Sequence, residues 1–453
     1  MSTLPIYAND TIVAIATPSG EGAVGIVRLS GPEAARLSDQ HLRLKTPLSA
    51  TDNYRIRHGH LVLENQETDE ILAFVARSPR SYTGEDMVEI QCHGNPVLLK
   101  RLVTALELAG ARPAEPGEFT QRAFMNGKID LTQAEAVADL VSAKTDYGLE
   151  SAYFQLRGGL KKRFQELATE LRQTKTLLEA SLDFSEDVTI DTASVQKQLR
   201  QAVDILDQQI QSYDGGKMIR EGARVTLCGI PNVGKSSLLN ALLGEDRAIV
   251  TDVAGTTRDT IDEAIEIAGI QVVLSDTAGL RETSDTVEKE GTRRSRVALT
   301  QADLVILIVD GSRPVETEEH SLLNELVDPI VAINKSDLYR HPSWDGVAAC
   351  PNSLWLSART GDGLTGLRQT LSDRLCGGVK IGTESITNQR HAGALRLARE
   401  ALLRAAVCLE EGGAGEIISF EIDEGLTALV GIIGETTAQD ILDEIFSQFC
   451  IGK

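Results

Sequence analysis

Aromatic residues, cysteines and long apolar runs are all scarce in this 453-residue chain. Only 4% of its residues are aromatic, so its cores must consist mainly of Leu, Ile, Val and Ala side chains. The 6 cysteines form no CxxC pair, which argues against a zinc site or a disulfide framework and fits a reducing compartment. No apolar run reaches the roughly eighteen residues of a membrane span, and the first residues lack the pattern of a secretory signal. We therefore expect a soluble, cytoplasmic protein without a membrane partner.

Basic residues are outnumbered by acidic ones. The 45 Lys and Arg residues against 66 Asp and Glu residues give a net charge of −21. A chain this acidic repels a phosphate backbone, so non-specific binding of nucleic acid is not expected. A role with RNA would require a local basic patch or a partner that holds the RNA.

The hydrophobic pattern changes along the chain. In the N-terminal part, β-rich runs such as Ile71–Ala76 and Met87–Cys92 precede an amphipathic helix at Pro96–Ala109, which indicates a compact α/β unit. Beyond this unit, apolar residues recur at spacings of three and four, first from Leu156 to Leu171 and then from Leu199 to Ile210. Such stripes are typical of helices in a bundle.

The helical pattern breaks at Asp214-Gly215-Gly216 and returns after Gly377-Gly378. The clearest later helices are Leu395–Leu409 and Thr436–Phe449, with Thr436 or Thr437 as an N-cap. Strand runs alternate with helical segments between the two breaks, which predicts an α/β domain inserted in a helical domain. The expected fold is α/β plus all-α. Its predicted segments are an N-terminal α/β domain at 1–118, helical parts at 119–216 and 378–453, and the inserted domain at 217–377.

The inserted domain carries a phosphate-binding motif. The segment Gly229-Ile-Pro-Asn-Val-Gly-Lys-Ser236 matches GxxxxGK[ST] and lies between the strand run Val225–Gly229 and the helical stretch Ser237–Leu243. Its glycines let backbone N–H groups surround phosphates, and the helix N-terminus attracts negative charge. Lys235 would reach the β- and γ-phosphates, and Ser236 would supply a hydroxyl to Mg²⁺. Alone, the motif could still be an ordinary glycine-containing turn.

Three further motifs follow strand runs in the order expected of a GTP-binding domain. Asp276-Thr277-Ala278-Gly279 places a carboxylate near the metal and a glycine N–H near the γ-phosphate. In Asn334-Lys335-Ser336-Asp337, the carboxylate of Asp337 can accept two hydrogen bonds from guanine, a donor pair that adenine lacks. Ser357-Ala358-Arg359 can place a backbone N–H on guanine O6. Together the motifs predict a Ras-like P-loop G domain that binds and hydrolyses GTP.

The switch loop is expected between the first two motifs, at Thr251–Asp259. Thr257 is the candidate that completes the Mg²⁺ shell and senses the γ-phosphate. The residue after the second motif is Leu280, which cannot orient the attacking water as a glutamine does in Ras-like enzymes. Four acidic residues of the following loop are alternatives that could orient the water, namely Glu282, Asp285, Glu288 and Glu290.

A cation must also offset the negative charge that develops on the phosphates. Sequence spacing leaves two solutions open. One is an arginine finger, for which Arg258, Arg281 and Arg293 are nearby. The other is a monovalent cation held by Asn232 and by backbone carbonyls of residues 251–256.

With these motifs placed, the chain from Thr11 to Lys453 resembles the tRNA modification GTPase MnmE family, also called TrmE. The resemblance rests on segments that GTPases in general lack. These segments are Ala23–Arg28, Tyr82–Asp86, His93-Gly94, Pro116–Thr120, Gln121–Phe124, Asn126–Leu131, Gln133–Ala136 and Phe449–Lys453.

The resemblance implies a function and its partners. Family members form homodimers and act with an MnmG flavoprotein, which carries FAD, in a heterotetramer that works on tRNA. The pair adds an aminomethyl or carboxymethylaminomethyl group to carbon 5 of the wobble uridine of certain tRNAs. The one-carbon unit comes from a tetrahydrofolate derivative that is bound by the N-terminal domain, and the same domain dimerises the protein.

The resemblance also assigns roles to individual residues. Folate contacts are implied for Arg28, Glu89, Lys128 and Lys453. A potassium site, which takes the place of an arginine finger and is ordered by G-domain dimerisation, is implied for Asn232, Thr251, Val253 and Thr256. Glu288 is implied to orient the water. Cys450 is tied to tRNA modification, although from the residues alone an ordinary C-terminal thiol is favoured.

The motifs and the resemblance together define the predicted site. Catalytic roles are expected for Glu288, Lys235 and Cys450, and Mg²⁺ ligation for Ser236 and Thr257. The predicted GTP contacts are Asn232, Val233, Gly234, Lys235, Ser236, Ser237, Thr251, Asp252, Val253, Ala254, Gly255, Thr256, Thr257, Asp276, Thr277, Ala278, Gly279, Asn334, Lys335, Ser336, Asp337, Ser357, Ala358 and Arg359.

Two other functions would share the same G domain. A ribosome-assembly GTPase usually adds a basic RNA-binding module, which this sequence does not show. A regulatory GTPase would bind GTP without folate chemistry. Binding of a tetrahydrofolate to residues 1–120, or its absence, would separate these functions from tRNA modification.

Overall fold

The computed structural model describes residues 10–183, 191–245, 262–276, 302–375, 382–435 and 438–452. The chain divides into two compact units. One comprises Met1–Val141, Gln155–Glu170 and Leu426–Lys453, and the other comprises Ser142–Phe154 and Leu171–Gly425. Among the described helices, none combines the length and the apolar character needed to cross a membrane.

The described strands are β1 (Ile12–Ile15), β2 (Gly22–Ser30), β3 (Leu42–Leu44), β4 (Arg57–Leu63), β5 (Gln66–Ala76), β6 (Met87–Gly94), β7 (Arg112–Pro113), β8 (Ala223–Cys228), β9 (Asp262–Ile267), β10 (Ile270–Asp276), β11 (Leu304–Asp310), β12 (Ile330–Asn334) and β13 (Ser353–Trp355). The described helices are α1 (Ala34–Asp39), α2 (Pro96–Leu108), α3 (Glu118–Met125), α4 (Leu131–Ser142), α5 (Asp146–Leu156), α6 (Gly159–Asp183), α7 (Thr192–Gln211), α8 (Tyr213–Glu221), α9 (Lys235–Glu245), α10 (Thr317–Glu325), α11 (Asp345–Ala348), α12 (Leu364–Leu375), α13 (Gln389–Glu410), α14 (Gly415–Ile433) and α15 (Gln439–Ser447). Short 3₁₀ turns lie at Leu48–Ala50 and Pro342–Trp344.

The first unit is built on a mixed sheet of order β3-β4-β5-β6-β2-β1-β7. All neighbours are antiparallel except β1 and β7. The predicted helix at Pro96–Ala109 is α2, and it begins at a favourable sequence. Asn95 accepts hydrogen bonds from the N–H groups of Val97 and Leu98, and Pro96 occupies the first turn, where no intrahelical N–H is needed. Its buried residues, Leu99, Leu102 and Leu106, join the core of the sheet.

A small second core in the first unit attaches the C-terminal helix. Leu131 and Ala134 of α4 pack with Leu442, Phe446 and Phe449. The predicted helix at Thr436–Phe449 is shorter in the structure, because α15 spans Gln439–Ser447. The predicted threonine N-cap is wrong: Ala438 has the extended backbone of the N-cap position, and Asp440 in the first turn complements the helix dipole instead. Thr436 and Thr437 themselves lie outside the described residues.

The second unit contains a sheet of order β13-β12-β11-β8-β10-β9, in which only β9 runs antiparallel to its neighbour. The strands β8, β11 and β12 are largely buried runs rich in Val, Leu, Ile and Ala, as a parallel sheet with covered faces requires. Their carboxyl ends meet at one edge, which is where ligands bind in open α/β sheets.

The same unit includes paired helices. Helix α7, which contains the predicted stripe Leu199–Ile210, packs along α13, which contains the predicted helix Leu395–Leu409. Ion pairs between Asp207 and Arg399 and between Arg200 and Glu410 join the two helices at their polar margins.

Two predicted features of the helical segments are wrong. Leu156 does not share a helix with Leu160, because Leu156 ends α5 and Gly158 leaves helical geometry with φ +80°. Gly215 and Gly216 do not break the helical pattern but lie inside α8. A Cβ on Gly216 would lie 2.1 Å from the carbonyl oxygen of Ile386, so this glycine serves close packing rather than a turn.

Candidate nucleotide site and candidate folate site

The phosphate-binding motif connects β8 to α9, as its sequence context predicts. Two of its glycines are required by close contacts. A Cβ on Gly229 would lie 2.3 Å from the carbonyl oxygen of Ile308, and a Cβ on Gly234 would lie 2.3 Å from Nδ2 of Asn334. Both glycines have positive φ, at +147° and +102°. The loop can therefore approach β11 and β12 only because these positions have no side chain.

Lys235 is buried, with 6% exposure, and its ammonium lies against its own loop. Nζ donates to the carbonyl oxygens of Gly229 at 2.7 Å and of Ile230 at 2.9 Å. Ser236 and Ser237 follow it in the first turn of α9. The loop thus places a positive charge and two hydroxyl groups at a helix N-terminus, an arrangement that suits phosphate and a hard cation.

Asn334 connects three of the predicted motifs. Its Nδ2 donates to the carbonyl oxygen of Val233 at 2.8 Å, and its Oδ1 accepts from the N–H groups of Lys335 at 2.8 Å and Ala358 at 3.0 Å. The side chain is buried, so these hydrogen bonds are shielded from water. The structure therefore brings residues 232–237, 334–337 and 357–359 together at one sheet edge.

Asp337 is oriented by the motif that follows it. Oγ of Ser357 donates to its Oδ1 at 2.7 Å, and Arg359 lies 3.2 Å from its Oδ2. The hydrogen bond from Ser357 is the main cause that holds the pKa of Asp337 below its usual value. Ser336 is tied to the same segment, since its N–H donates to the carbonyl oxygen of Leu356 at 3.0 Å. Asp337 is thus an ionised acceptor, as recognition of guanine requires.

Sequence reasoning missed Asp310, the last residue of β11. Its Oδ2 lies 2.6 Å from Nζ of Lys335, and its Oδ1 accepts from the N–H and Oγ of Ser312 at 3.0 and 2.6 Å. Burial alone would raise the pKa of Asp310, but the hydrogen bonds from Lys335 and Ser312 outweigh it and lower the pKa. The sequence feature that could have identified Asp310 is an aspartate at the carboxyl end of a buried parallel strand, followed by Gly-Ser.

Other predicted residues of this site lie outside the described residues. These are Thr251, Asp252, Val253, Ala254, Gly255, Thr256, Thr257, Thr277, Ala278, Gly279 and Glu288, together with the alternatives Glu282, Asp285, Glu290, Arg258, Arg281 and Arg293. The backbone of Asp276 is described: it closes β10 and lies in register with Leu227 of β8, the strand that leads into the phosphate loop.

In the first unit, Arg28 and Glu89 face each other across β2 and β6. Nε and Nη2 of Arg28 both lie close to Oε1 of Glu89, at 2.9 and 2.8 Å. The guanidinium also lies over the ring of Phe119 at 5.7 Å, and the hydroxyl of Tyr82 shares a hydrogen bond with Thr120 one residue further along α3. The structure therefore joins two residues that were predicted as folate contacts, and it packs the buried ring of Phe119 against the guanidinium.

Lys128 is not joined to that pair. Its Nζ donates to the carbonyl oxygen of Pro79 at 2.8 Å, and in the described part of the chain it makes no hydrogen bond to Arg28 or Glu89. Lys128 instead borders the loop that precedes β6, where Asn126 Nδ2 donates to the carbonyl oxygen of Thr83.

A buried ionic network fixes this loop and α3. Arg122 is 2% exposed and lies 2.7 Å from Asp10, 2.8 Å from Glu118 and 3.0 Å from Glu85. Arg112 adds a second guanidinium, 2.6 Å from Glu118. The hydrogen bonds to the arginines outweigh the effect of burial, and the pKa of both Asp10 and Glu118 is lowered. The network joins the segment before β1, the loop before β6 and α3.

The C-terminal tail lies on the same unit. Nη1 of Arg28 donates to the carbonyl oxygen of Gly452 at 3.3 Å, and Gly452 has φ +95°. Cys450 is exposed, whereas Cys92 and Cys228 are buried. Burial raises the pKa of the Cys92 thiol to about 11 and that of the Cys228 thiol to about 12. The structure thus brings the end of the tail to Arg28, two residues after Cys450, and Lys453 lies outside the described residues.

Comparisons with known proteins agree along nearly the whole chain. The sequence matches the family models of the GTP-binding protein TrmE N-terminus over residues 11–128 and of the MnmE helical domain over residues 131–450. It is 44% identical to the tRNA modification GTPase MnmE of Syntrophus aciditrophicus, over 98% of this chain and 100% of that protein. It is 41% identical to the protein of the same name from Geobacter metallireducens, over 99% of this chain and 100% of that protein.

Among solved structures, the G domain of the T. maritima FeoB iron transporter is 27% identical, covers 34% of this chain and 98% of its own, and has a TM-score of 0.26. The family is shown by the full-length relatives and by the match of the helical domain. The chain therefore belongs to the tRNA modification GTPase MnmE family and is a GTP hydrolase involved in tRNA modification.

Proposed function

We propose that this chain acts in the cytoplasm as a homodimer, in a heterotetramer with an MnmG-like flavoprotein that carries FAD. The assembly adds an aminomethyl or carboxymethylaminomethyl group to carbon 5 of the wobble uridine of certain tRNAs. GTP hydrolysis and a tetrahydrofolate one-carbon donor serve the same reaction. The observation that carries the proposal is that the chain brings three of its GTP-binding motifs together at one sheet edge and, in its other unit, joins Arg28 to Glu89 and to the C-terminal tail.

The proposed domains keep the predicted boundaries. Residues 1–118 bind the folate and dimerise, and residues 217–377 form the G domain. Residues 119–216 and 378–453 form the helical domain. The family models, which meet between residues 128 and 131, support a boundary close to the first of these.

The phosphates of GTP are proposed to lie on the loop before α9. Backbone N–H groups of residues 232–237 surround them, and Lys235 exchanges its bonds to the carbonyls of Gly229 and Ile230 for bonds to the β- and γ-phosphates. The hydroxyls of Ser236 and Thr257 are the ligands for Mg²⁺, which offsets phosphate charge when bound. Asp276, whose backbone ends the neighbouring strand, is proposed to hold the metal shell through the motif that it begins.

Guanine is proposed to be recognised by Asp337, whose two oxygens accept from N1–H and the 2-amino group. Ser357 and Arg359 orient that carboxylate, and Asn334 fixes the loop on which it lies. The N–H of Ala358 already donates to Asn334, so it reaches guanine O6 only by sharing or exchanging this bond. Asn334 is buried, and its three hydrogen bonds connect the base-binding loop to the phosphate loop.

Hydrolysis is proposed to use Glu288 to orient the water, because Leu280 cannot. K⁺ is proposed to bind Asn232 and the loop residues Thr251, Val253 and Thr256, and supplies the charge that an arginine finger supplies elsewhere. The exposed amide of Asn232 and backbone carbonyls are oxygen donors of the kind that a hard monovalent cation accepts. Dimerisation of G domains would order this loop.

The folate is proposed to bind at Arg28 and Glu89, with Lys128 and Lys453 near its anionic tail. Glu89 fits a pterin: Arg28 occupies its Oε1, while Oε2 makes no hydrogen bond within the described residues and can accept from ring and amino N–H groups. When bound, the folate derivative supplies the one-carbon unit. The ring of Phe119 is fully buried beneath Arg28 and supports the guanidinium from below.

Cys450 is proposed to take part in the modification step, because its exposed thiol lies two residues from the carbonyl that Arg28 binds. We propose that the flavoprotein partner makes most of the contacts with tRNA, because a chain with net charge −21 does not attract RNA by itself.

Mass spectrometry of tRNA nucleosides tests the proposal. A strain that lacks this gene receives the wild-type chain, Lys235→Ala, Glu89→Gln or the control Glu70→Gln, which changes an exposed carboxylate on β5. Aminomethyl-type wobble uridines should return with the wild-type chain and Glu70→Gln, and should stay absent with the other two variants. Restoration by Glu89→Gln would reject the folate site, and nucleosides that do not change on deletion would favour a ribosome-assembly or regulatory GTPase.

A further inference from the structure

Asp310 ends β11 at the edge where the nucleotide site lies, in register with Asn334 of β12. Its side chain is 9% exposed, and its two oxygens bind different partners. Oδ1 is held by the N–H and hydroxyl of Ser312, and Oδ2 lies 2.6 Å from the ammonium of Lys335. The carboxylate is thus fixed on its own strand and bound to a residue of the base-recognition loop.

Lys335 connects Asp310 to the phosphate loop. Its Nζ also donates to the carbonyl oxygen of Asn232 at 3.2 Å. Asn232 and Lys335 both have left-handed backbones, with φ of 67° and 65°. This conformation is unfavourable for residues with a Cβ, although asparagine adopts it more readily than most, so contacts with the surroundings must offset its cost. One ammonium therefore joins two strained positions, one on each side of the nucleotide site.

We propose that Asp310 is a positioning residue for the guanine nucleotide: it fixes the ammonium of Lys335, and through it the carbonyl of Asn232, so that the base loop and the phosphate loop are held in register before nucleotide binds. The inference rests on the proposed nucleotide site. Asp310 acts through Lys335 and needs no contact with the nucleotide.

The pair is well suited to this role because it is partly shielded from water. The exposure of the Lys335 side chain is 33%, and that of Asp310 is 9%. Asp310→Asn keeps an oxygen for Ser312 but replaces the charge with an amide, whose N–H₂ cannot accept from the ammonium. Lys335 would then lose its fixed position, and Asn232 would be free to leave its left-handed conformation.

The direct test is the dissociation rate of a fluorescent GDP analogue from the full chain. Asp310→Asn should release it about tenfold faster and raise the KM for GTP by a similar factor, with less than a threefold change in kcat. Asp303→Asn is the matched control. Asp303 is exposed just before the amino end of β11 and accepts from the N–H of Arg224, a bond that an asparagine oxygen retains. This variant should release the analogue at the wild-type rate.

A double-mutant cycle separates positioning from a general loss of structure. In a Lys335→Met background, Asp310→Asn should change the dissociation rate by less than twofold, because the ammonium through which Asp310 acts is gone. If Asp310→Asn does not fold, Lys335→Met alone should show the faster release with a cooperative unfolding transition. An unchanged rate in that variant would overturn the inference.

Lys235→Ala distinguishes this inference from the proposed site. If Lys235→Ala binds the analogue as tightly as the wild-type chain, the nucleotide site itself is misassigned. Two results would show that only the role of Asp310 is wrong, provided that Lys235→Ala loses binding. In one, Asp310→Asn releases the analogue at the wild-type rate. In the other, Asp310→Asn changes the dissociation rate equally in the wild-type chain and in Lys335→Met.

Discussion

Nη1 of Arg28 donates a hydrogen bond to the carbonyl oxygen of Gly452, which lies 424 residues later in the chain. The same guanidinium is bound to Glu89, so the C-terminal tail and the proposed folate site share one cation. Gly452 makes this possible, because a Cβ there would lie 2.3 Å from the carbonyl oxygen of Ile15.

Gly452→Ala should displace the tail and separate modification from GTP hydrolysis. The added methyl group meets backbone, which cannot move aside as a flexible side chain can. We expect the rate of tRNA modification to fall at least about tenfold, while GTP hydrolysis stays within twofold, because the nucleotide site lies in the other unit.

Gly412→Ala is the control for this prediction. Gly412 also has a positive φ, +71°, but among the described residues, apart from its two chain neighbours, no atom lies within 4 Å of its added Cβ. It therefore carries the cost of the left-handed backbone, about 1–2 kcal/mol, without the clash. Equal loss of modification in both variants would show that tail position is not the cause.

Arg122→Met should destabilise the first unit and change its response to acid. Removal of one partner from a buried ionic network costs about 3–5 kcal/mol, and Arg122 contacts Asp10, Glu85 and Glu118. The pKa of Asp10 and Glu118 is lowered in the folded chain, so these groups stabilise it above their ordinary values of 3.8 and 4.5. This stabilisation is lost as the pH falls through the lower, folded values.

Urea unfolding, followed from neutral pH down to about pH 3, measures both effects. The wild-type chain should lose stability as the pH falls below about 4.5, and Arg122→Met should lose less over the same range, because its carboxyls no longer have a lowered pKa to the same extent. Arg101→Met removes an exposed arginine that pairs with Glu64, and should cost less than about 1 kcal/mol. An acid response that is the same for Arg122→Met and the wild-type chain would contradict the network's role.

Asp337→Asn should change the preferred base from guanine to xanthine. The asparagine amide offers a donor where the carboxylate offered an acceptor, and xanthine carries a carbonyl in place of the 2-amino group. GTP affinity should fall by roughly 10³-fold or more, and XTP should become the better ligand. Asp345→Asn, at an exposed position on the short helix α11, should leave GTP affinity unchanged. Undiminished GTP binding by Asp337→Asn would remove this residue from base recognition.

Hydrolysis should depend on K⁺ and on one acid of the loop after Leu280. Replacement of K⁺ by Na⁺ should lower the GTPase rate without a comparable loss of nucleotide affinity, because the cation acts on developing charge. Glu288→Gln should lower kcat at least about 10²-fold. Glu282→Gln, Asp285→Asn and Glu290→Gln should each stay within threefold of the wild-type kcat. An equal rate in Na⁺, or a larger loss in one of the other three variants, would show that the assignment is wrong.

The sequence predicted the fold correctly where a local pattern of buried and polar residues determines the element. The P-loop, β11, β12 and α2 all lie where predicted, because buried parallel strands and a capped amphipathic helix leave clear periodic signals. The break predicted at Gly216 was wrong, because the sequence does not distinguish a glycine that allows Ile386 to pack closely from a glycine that ends a helix. Asp310 was missed for a related reason: its partner Lys335 is brought to it only by sheet register.

The folate site shows the same limit. The pairing of Arg28 with Glu89 follows from the register of β2 and β6, which a single sequence does not specify. The position of Lys128 away from that pair, and the contact of Arg28 with Gly452, depend equally on tertiary packing.

We infer that GTP hydrolysis by this chain serves folate-dependent modification of a wobble uridine. The most direct measurement uses the purified chain, an MnmG-like flavoprotein, unmodified tRNA and a tetrahydrofolate labelled in its one-carbon unit. Label should appear on carbon 5 of the wobble uridine with GTP, and not with a non-hydrolysable GTP analogue or with Glu89→Gln. Label transfer that proceeds equally well without GTP hydrolysis, or no transfer from the folate under any condition, would show that the two reactions are not coupled in this way.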